Sequence, residues 1–333
     1  MKVLVTGGAG YIGSHCAIAM MEKGHDVVIL DNFCVGHEEI VKTIENIKAP
    51  GKFSGTIKAD ITDSDELKNV FGGIDAVVHF AAFSYVGESI KEPKKYYRNN
   101  VTGTINLLDA MLENNIKIIV FSSTAAVYGE PEYVPIDEET PARPINPYGS
   151  TKLEAERIIE SFDGSGIKSV CLRYFNVAGA DSKCRVGEWH EPETHLIPNI
   201  LRSTFGNGKE FELYGNDYPT RDGTCVRDYI NIEDLADAHI LALEYLSAGG
   251  NTDRFNLGTN DGNTVLEVFA ECENVTGKKI PLKVMPRRAG DPAALVADNR
   301  KAKRVLGWRP KRTLRHTIET AYAWEKKLTE LRK

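Results

Sequence analysis

Three glycines at three-residue intervals, Gly7, Gly10 and Gly13, stand directly behind the apolar run Val3-Leu4-Val5. That order commits the start of the chain to strand, tight turn and helix, because residues without a Cβ allow the turn and the close helix packing behind it. A helix opening there presents unpaired backbone amides and the positive end of its dipole to phosphate. A glycine triplet alone says little, but Asp31 closes the next apolar run, 27–30, at 18 residues beyond Gly13. A carboxylate at that point accepts from the adenosine ribose hydroxyls of a dinucleotide and repels a 2′-phosphate. NAD is therefore expected rather than NADP.

The same alternation continues along the chain. Short apolar runs rich in β-branched residues recur at 56–61, 76–80, 118–122 and 169–174, with helix-length segments between them, notably 97–114 and 148–162. This pattern predicts an α/β chain with a Rossmann-type, doubly wound parallel sheet. Asp60 and Ile61 end the third run, placed to flank adenine, although an Asp there is equally a turn former. Beyond Asn176 the sequence turns polar and loop-rich as far as Arg227. The expected organisation is an NAD-binding domain over 1–175, rejoined by about 228–250, and a smaller mixed α/β domain over 176–227 and 251–333.

At 333 residues the chain buries a sizeable core, and its 42% hydrophobic and 26% charged residues are ordinary for a soluble enzyme. The net charge of −6 argues against a nucleic-acid partner, and no segment has the length and apolarity of a membrane span. The first residues read as a strand rather than a signal peptide. Six cysteines without Cys-x-x-Cys spacing fit reduced thiols, and a cytoplasmic location is expected.

Tyr148 and Lys152 are four apart, so on a helix they share one face. Such pairs are common on solvated surfaces, yet this one carries a specific chemistry. Tyrosine's pKa is about 10, and bringing it near 7 takes about 4 kcal/mol in favour of the phenolate. One cation at about 4 Å contributes on the order of 4 kcal/mol at an effective dielectric near 20. The pair is a candidate base for hydride chemistry on an alcohol. Ser122-Ser123-Thr124 ends the fifth run, where strand C-termini face the ligand crevice, so Thr124 is a candidate donor to a sugar hydroxyl, although a hydroxyl-rich turn has the same composition.

With the glycine loop, these residues resemble the extended short-chain dehydrogenases/reductases, and the likeness lies closest to the UDP-hexose 4-epimerases. It spans essentially the whole chain through segments outside the fingerprint, among them His79-Phe80-Ala81-Ala82, Asn99-Asn100, Arg173-Tyr174-Phe175-Asn176, Val226-Arg227-Asp228-Tyr229 and Arg287-Arg288. The resemblance implies that Tyr11, Ile12, Asp31, Asn32, Phe33, Cys34, Val35, Gly36, Asp60 and Ile61 surround NAD. Phe80, Ala81, Ala82, Phe83, Ser84, Asn99, Thr124, Tyr148, Lys152 and Phe175 complete that environment. It implies that Asn176, His195, Leu196, Glu212, Leu213, Tyr214, Arg227, Arg288 and Asp291 bind the UDP-hexose, with Thr124 and Tyr148 touching the sugar. Two arginines suit a diphosphate, and Asp291 suits ribose hydroxyls.

The implied activity is reversible C4 epimerisation of UDP-glucose and UDP-galactose through a transient 4-keto sugar, with Tyr148 as base and NAD regenerated in each cycle. A homodimer through 97–114 and 148–162 is implied as well. This chain departs from many such epimerases in having Ser84 for a lysine and His195 for an asparagine, and from some in having Leu295 for a bulky tyrosine beside the sugar. The smaller Leu295 opens the expectation of UDP-N-acetylhexosamines as additional or even principal substrates. A sugar-nucleotide 4,6-dehydratase is the nearest rival, but such enzymes carry Asp-Glu where this chain has Ala125-Ala126. A net dehydrogenase and a non-catalytic NAD-binding protein are more distant alternatives. No metal is expected, because His190 and His195 are five apart and Pro192 opposes the helix that a His-Glu-x-x-His site requires.

Overall fold

A computed structural model describes residues 1–205, 210–288 and 291–332. The strands in chain order are β1 (Lys2–Thr6), β2 (Asp26–Asp31), β3 (Phe53–Lys58), β4 (Ala76–His79), β5 (Ile118–Thr124), β6 (Lys168–Tyr174) and β7 (Asn176–Ala178). They continue as β8 (Phe211–Tyr214), β9 (Val226–Arg227), β10 (Tyr229–Asn231), β11 (Asp253–Leu257), β12 (Asn263–Thr264), β13 (Leu282–Met285) and β14 (Ala294–Leu295).

Seven of these form one sheet in the order β3-β2-β1-β4-β5-β6-β11, and every neighbouring pair is parallel. Helices cover both faces, which is why the central strands are apolar without alternation: Val3, Leu4 and Val5 are all fully buried. Val3, Val5, Val78 and Val120 pack on one face with the helices Tyr11–Glu22 and Ile232–Ser247. Leu4, Val77, Ile119 and Phe121 pack on the other with Leu107, Met111, Ala155 and Ile159. Strand order reverses between β1 and β4, and the crevice at that switch point receives the glycine loop.

The expected α/β architecture is thus present, with differences at its edges. The third strand is Phe53–Lys58, shifted from 56–61, because Gly55 and Ser54 are strand residues at a sheet edge where apolarity is not demanded. The expected helix over 97–114 opens as a π-helix, Tyr97–Thr102, before the α-helix Gly103–Glu113.

The boundary expected at 250 also falls short. β11 hydrogen-bonds to β6 as the last strand of the large sheet, and Ala302, Leu306 and Trp308 lie in the core beneath it. Polar Asp253, Arg254 and Asn256 hid that strand in the sequence. Ile197, Ile200, Leu201, Phe211, Leu213, Val268, Phe269 and Ile318 form a separate cluster that supports the short sheets of the smaller lobe.

Candidate functional site

Two close approaches shape the C-terminal edge of the sheet. At Gly13 a Cβ would sit 2.3 Å from the carbonyl oxygen of Gly7, whose φ is +68°, so the glycine loop closes onto the helix only without side chains. The helix begins at Gly10 with no side-chain cap, leaving its first-turn amides free for an anion. At Gly149 a Cβ would meet the carbonyl oxygen of Ala126 at 2.5 Å. Asn146 caps this second helix, Pro147–Ser161, by accepting from the Gly149 amide at 2.9 Å. The contact draws the helix onto the end of β5 and sets Tyr148 and Lys152 beside Thr124.

Lys152 is buried, and its Nζ donates to the Ser122 carbonyl at 2.7 Å while lying 4.7 Å from the centre of the Phe121 ring. Burial lowers its pKa to about 7, against the nearby Glu156. Tyr148 is half-buried, and withdrawal of its phenol from water pushes it up to about 12, with Thr124 pulling the other way. The expected lowering of the phenol by Lys152 is therefore not given by the protein groups alone: burial outweighs the Thr124 hydrogen bond, and the ammonium is engaged by Ser122. Thr124 Oγ1 accepts from the Ala126 amide at 3.1 Å, leaving its O–H free to donate elsewhere.

Asp31 receives the Ala9 amide at 2.9 Å and the Phe33 amide at 2.8 Å, which locks the glycine loop to the end of β2. Phe33, Cys34, Val35 and Gly36 line a cavity together with His37, Tyr85 and Glu191. Asp60 and Ile61 lie just past β3. Asp60 accepts from the Thr62 amide at 2.8 Å and from Asn32 Nδ2 at 2.9 Å, so its turn-forming role is visible. The 80–84 segment follows β4, where Asn100 grips Phe83 through the backbone amide at 2.9 Å and the carbonyl at 3.0 Å. Asn99 donates to Asn100 at 3.0 Å. Tyr11 and Ile12 open the first helix, Ala81, Ala82 and Ser84 follow β4, and Phe175 follows β6. The glycine cradle and the Asp31 carboxylate that holds it fit NAD.

Across the crevice, Arg227 Nη1 donates to the carbonyls of Val226 and Pro292 at 2.8 and 2.9 Å, and its Nη2 stands 3.6 Å from Asp291. The Arg288 guanidinium stacks 4.0 Å from the centre of the Tyr214 ring, and the Tyr214 hydroxyl donates to Glu212 at 2.6 Å. Leu213 points into the smaller lobe's core. Leu295 pairs in register with Arg227 and packs in a cluster with Ala125, Leu153 and Phe175. Asn176 opens β7 on the exposed side, and Leu196 begins the helix Leu196–Arg202 directly after His195.

His195 brings with it two carboxylates, Glu188 and Glu193, that sequence reasoning missed. Its Nδ1 lies 2.6 Å from Glu188 and 3.0 Å from Glu193, and His190 stands beside them. Burial disfavours the charged ring, but the two carboxylates outweigh it and raise the His195 pKa to about 10. Helical spacing does not govern these groups, whose side chains converge from a loop.

Comparison with known proteins follows the same lines. The family profile described as GDP-mannose 4,6 dehydratase matches residues 4–321. The UDP-glucose 4-epimerase of Lactobacillus helveticus is 51% identical over 330 residues, covering 98% of this chain and 97% of its own length. That of Bacillus subtilis is 43% identical over 332 residues, covering 98% and 97%. The crystal structure of the UDP-glucose 4-epimerase from Stenotrophomonas maltophila, with bound NAD and formylated UDP-arabinopyranose, superposes with a TM-score of 0.95 at 39% identity and covers 99% of each chain. Crevice, smaller lobe and full-length similarity together place this chain in the UDP-glucose 4-epimerase family.

Proposed function

We propose that the chain interconverts UDP-glucose and UDP-galactose by inverting C4 of the sugar, with NAD as its resident cofactor. The observation that carries this reading is the meeting of Tyr148, Thr124 and Lys152 at the end of β5, beside the Gly7–Gly13 cradle. NAD, when bound, supplies hydride acceptance and return at C4. Tyr148 takes the C4 hydroxyl proton and gives it back, with Thr124 donating to the sugar oxygen. Two positive charges, the Lys152 ammonium and the nicotinamide, oppose the burial that holds the phenol near 12.

Arg227 and Arg288 hold the diphosphate by charge-assisted hydrogen bonds while the ketone turns between its two faces. The remaining residues assigned above to the cofactor and the nucleotide keep those roles. Support against the dehydratase alternative lies in Ala125 and Ala126, whose methyl groups offer no acid or base for eliminating water. UDP-N-acetylhexosamines form a second substrate class, favoured by the modest bulk of Leu295.

The division into a cofactor domain and a substrate domain is part of this proposal, with the sheet segment extended through Leu257. A homodimer through 97–114 and 148–162 is consistent with the exposed Tyr97. A cytoplasmic site of action is supported by free cysteines, four of them buried. No described helix is long and apolar enough to cross a membrane.

Incubating the purified chain with UDP-galactose, without added NAD, tests the reading. UDP-glucose is the expected product; a 4-keto-6-deoxy product establishes the dehydratase instead, and stoichiometric NADH accumulation establishes a dehydrogenase.

A further inference from the structure

Between β7 and the helix Leu196–Arg202, two imidazoles and two carboxylates face one another. Their donor atoms all lie within 4.8 Å. His195 Nδ1 is 2.6 Å from Glu188 Oε1 and 3.0 Å from Glu193 Oε1. His190 Nδ1 is 3.1 Å from Glu188 Oε1 and 3.9 Å from Glu193 Oε2. A tetrahedral zinc ion with bonds of about 2.0–2.1 Å holds its donors about 3.3–3.4 Å apart, within the spread of these separations.

Charge and burial point the same way. The Glu188 and Glu193 side chains are 5% and 2% exposed, so two carboxylates share an interior that demands positive charge. Arg202, 3.6 Å from Glu193 Oε2, already donates to Glu325 at 3.0 and 3.1 Å. His195 Nδ1 reaches carboxylate oxygens on its own side, yet Glu193 Oε2 has no hydrogen-bond partner among the described residues. A buried acceptor left unpaired is costly. It is the atom that a cation would take.

We propose that Glu188, His190, Glu193 and His195 bind one divalent transition-metal ion, zinc by the character of the donor set. Two imidazole nitrogens and two carboxylate oxygens suit zinc, and the two negative charges balance its own. Four protein donors close the coordination shell, which makes the site structural. Tyr11 and Tyr85 pack edge-on to the His190 ring, with centroids 6.2 and 6.0 Å away, and fix its orientation. The ion ties the 188–195 loop between the cofactor-side Tyr11 and the His195-Leu196 turn. His195 ligates through Nδ1, the atom that faces both carboxylates, which leaves its Nε2 for the nucleotide role proposed above.

The chain, purified without a metal-affinity step, is assayed by elemental mass spectrometry, then stripped with a chelator and titrated with zinc by calorimetry. One zinc per chain, restored at one equivalent after stripping, is the expected result. Cobalt in its place gives the visible bands of a tetrahedral ion. His190→Ala and Glu193→Gln, shown to be folded by circular dichroism, lose stoichiometric binding. A stripped wild-type chain that takes up no zinc at one saturable site overturns the proposal, as does undiminished binding by both folded variants.

Discussion

The Lys152 ammonium is held by the Ser122 carbonyl at 2.7 Å, one turn along the helix from the phenol it is supposed to activate. Burial gives this lysine a pKa of about 7 against an ordinary 10.5. A lysine whose folded pKa is depressed costs no stability above its unfolded pKa, and the cost grows as pH falls from there to the folded value, below which it is constant. With cofactor stripped, Lys152→Met is therefore expected to be more stable than the native chain below pH 7. The gain shrinks between about pH 7 and 10.5 and is gone above it, each pKa unit being worth about 1.4 kcal/mol. Urea unfolding across this range checks the slope; a difference that grows with pH contradicts it.

Tyr148→Phe removes the proposed proton acceptor and keeps the ring. Loss of general acid and base catalysis is expected to lower turnover of UDP-galactose by about 10² to 10⁴-fold. UDP binding, which the proposed function assigns to Arg227 and Arg288, stays within a few-fold in calorimetry. Turnover near the native rate removes Tyr148 from the base role.

Gly13→Ala tests the cradle. A methyl group placed 2.3 Å from the Gly7 carbonyl oxygen forces the loop off the helix. The expected stability loss is about 1–3 kcal/mol, as for other overpacked sites. NAD released per chain on denaturation falls well below the native amount. Native NAD content in the variant shows that phosphate binding does not need this approach.

How much of this was legible beforehand depends on the range of the interaction. The strand and turn at Gly7, the helix carrying Tyr148 and Lys152, and the return helix Ile232–Ser247 follow local patterns, which short windows reveal. β11 did not, because Asp253, Arg254 and Asn256 obscure its apolar content and its membership is decided by pairing with β6. The Glu188 to His195 cluster was missed for a related reason: loop side chains converge without a period. The reversed pKa balance at Tyr148 arises from burial, a property of the whole fold.

The buried pair Arg173 and Glu156 braces the catalytic helix against β6. Arg173 Nε and Nη2 reach the carboxylate at 2.9 and 2.5 Å, and Ser123 donates to the same group. Both side chains are almost wholly enclosed. Glu156→Ala leaves the guanidinium without its counter-charge, so a loss of about 3–5 kcal/mol is expected in denaturant unfolding. A loss under about 1 kcal/mol shows that water or Tyr128 compensates.

Leu295 sits opposite Arg227 in the ladder and leans on the cluster of Ala125 and Phe175, between the proposed diphosphate anchor and the catalytic strand end. In the proposed function Leu295 walls the sugar pocket where the 2-substituent is carried. The native chain is therefore expected to epimerise UDP-N-acetylgalactosamine as well as UDP-galactose. Leu295→Tyr fills that space with a ring, and the ratio of the two kcat/KM values is expected to shift against the N-acetyl sugar by about 10- to 200-fold, the range that pocket size alone commands. UDP-galactose turnover stays within a few-fold, since Tyr148 and Thr124 are untouched. Assays of both sugars on both proteins decide it: no N-acetyl turnover by the native chain ends the broader substrate claim, and an unchanged ratio in Leu295→Tyr places the sugar wall on another residue.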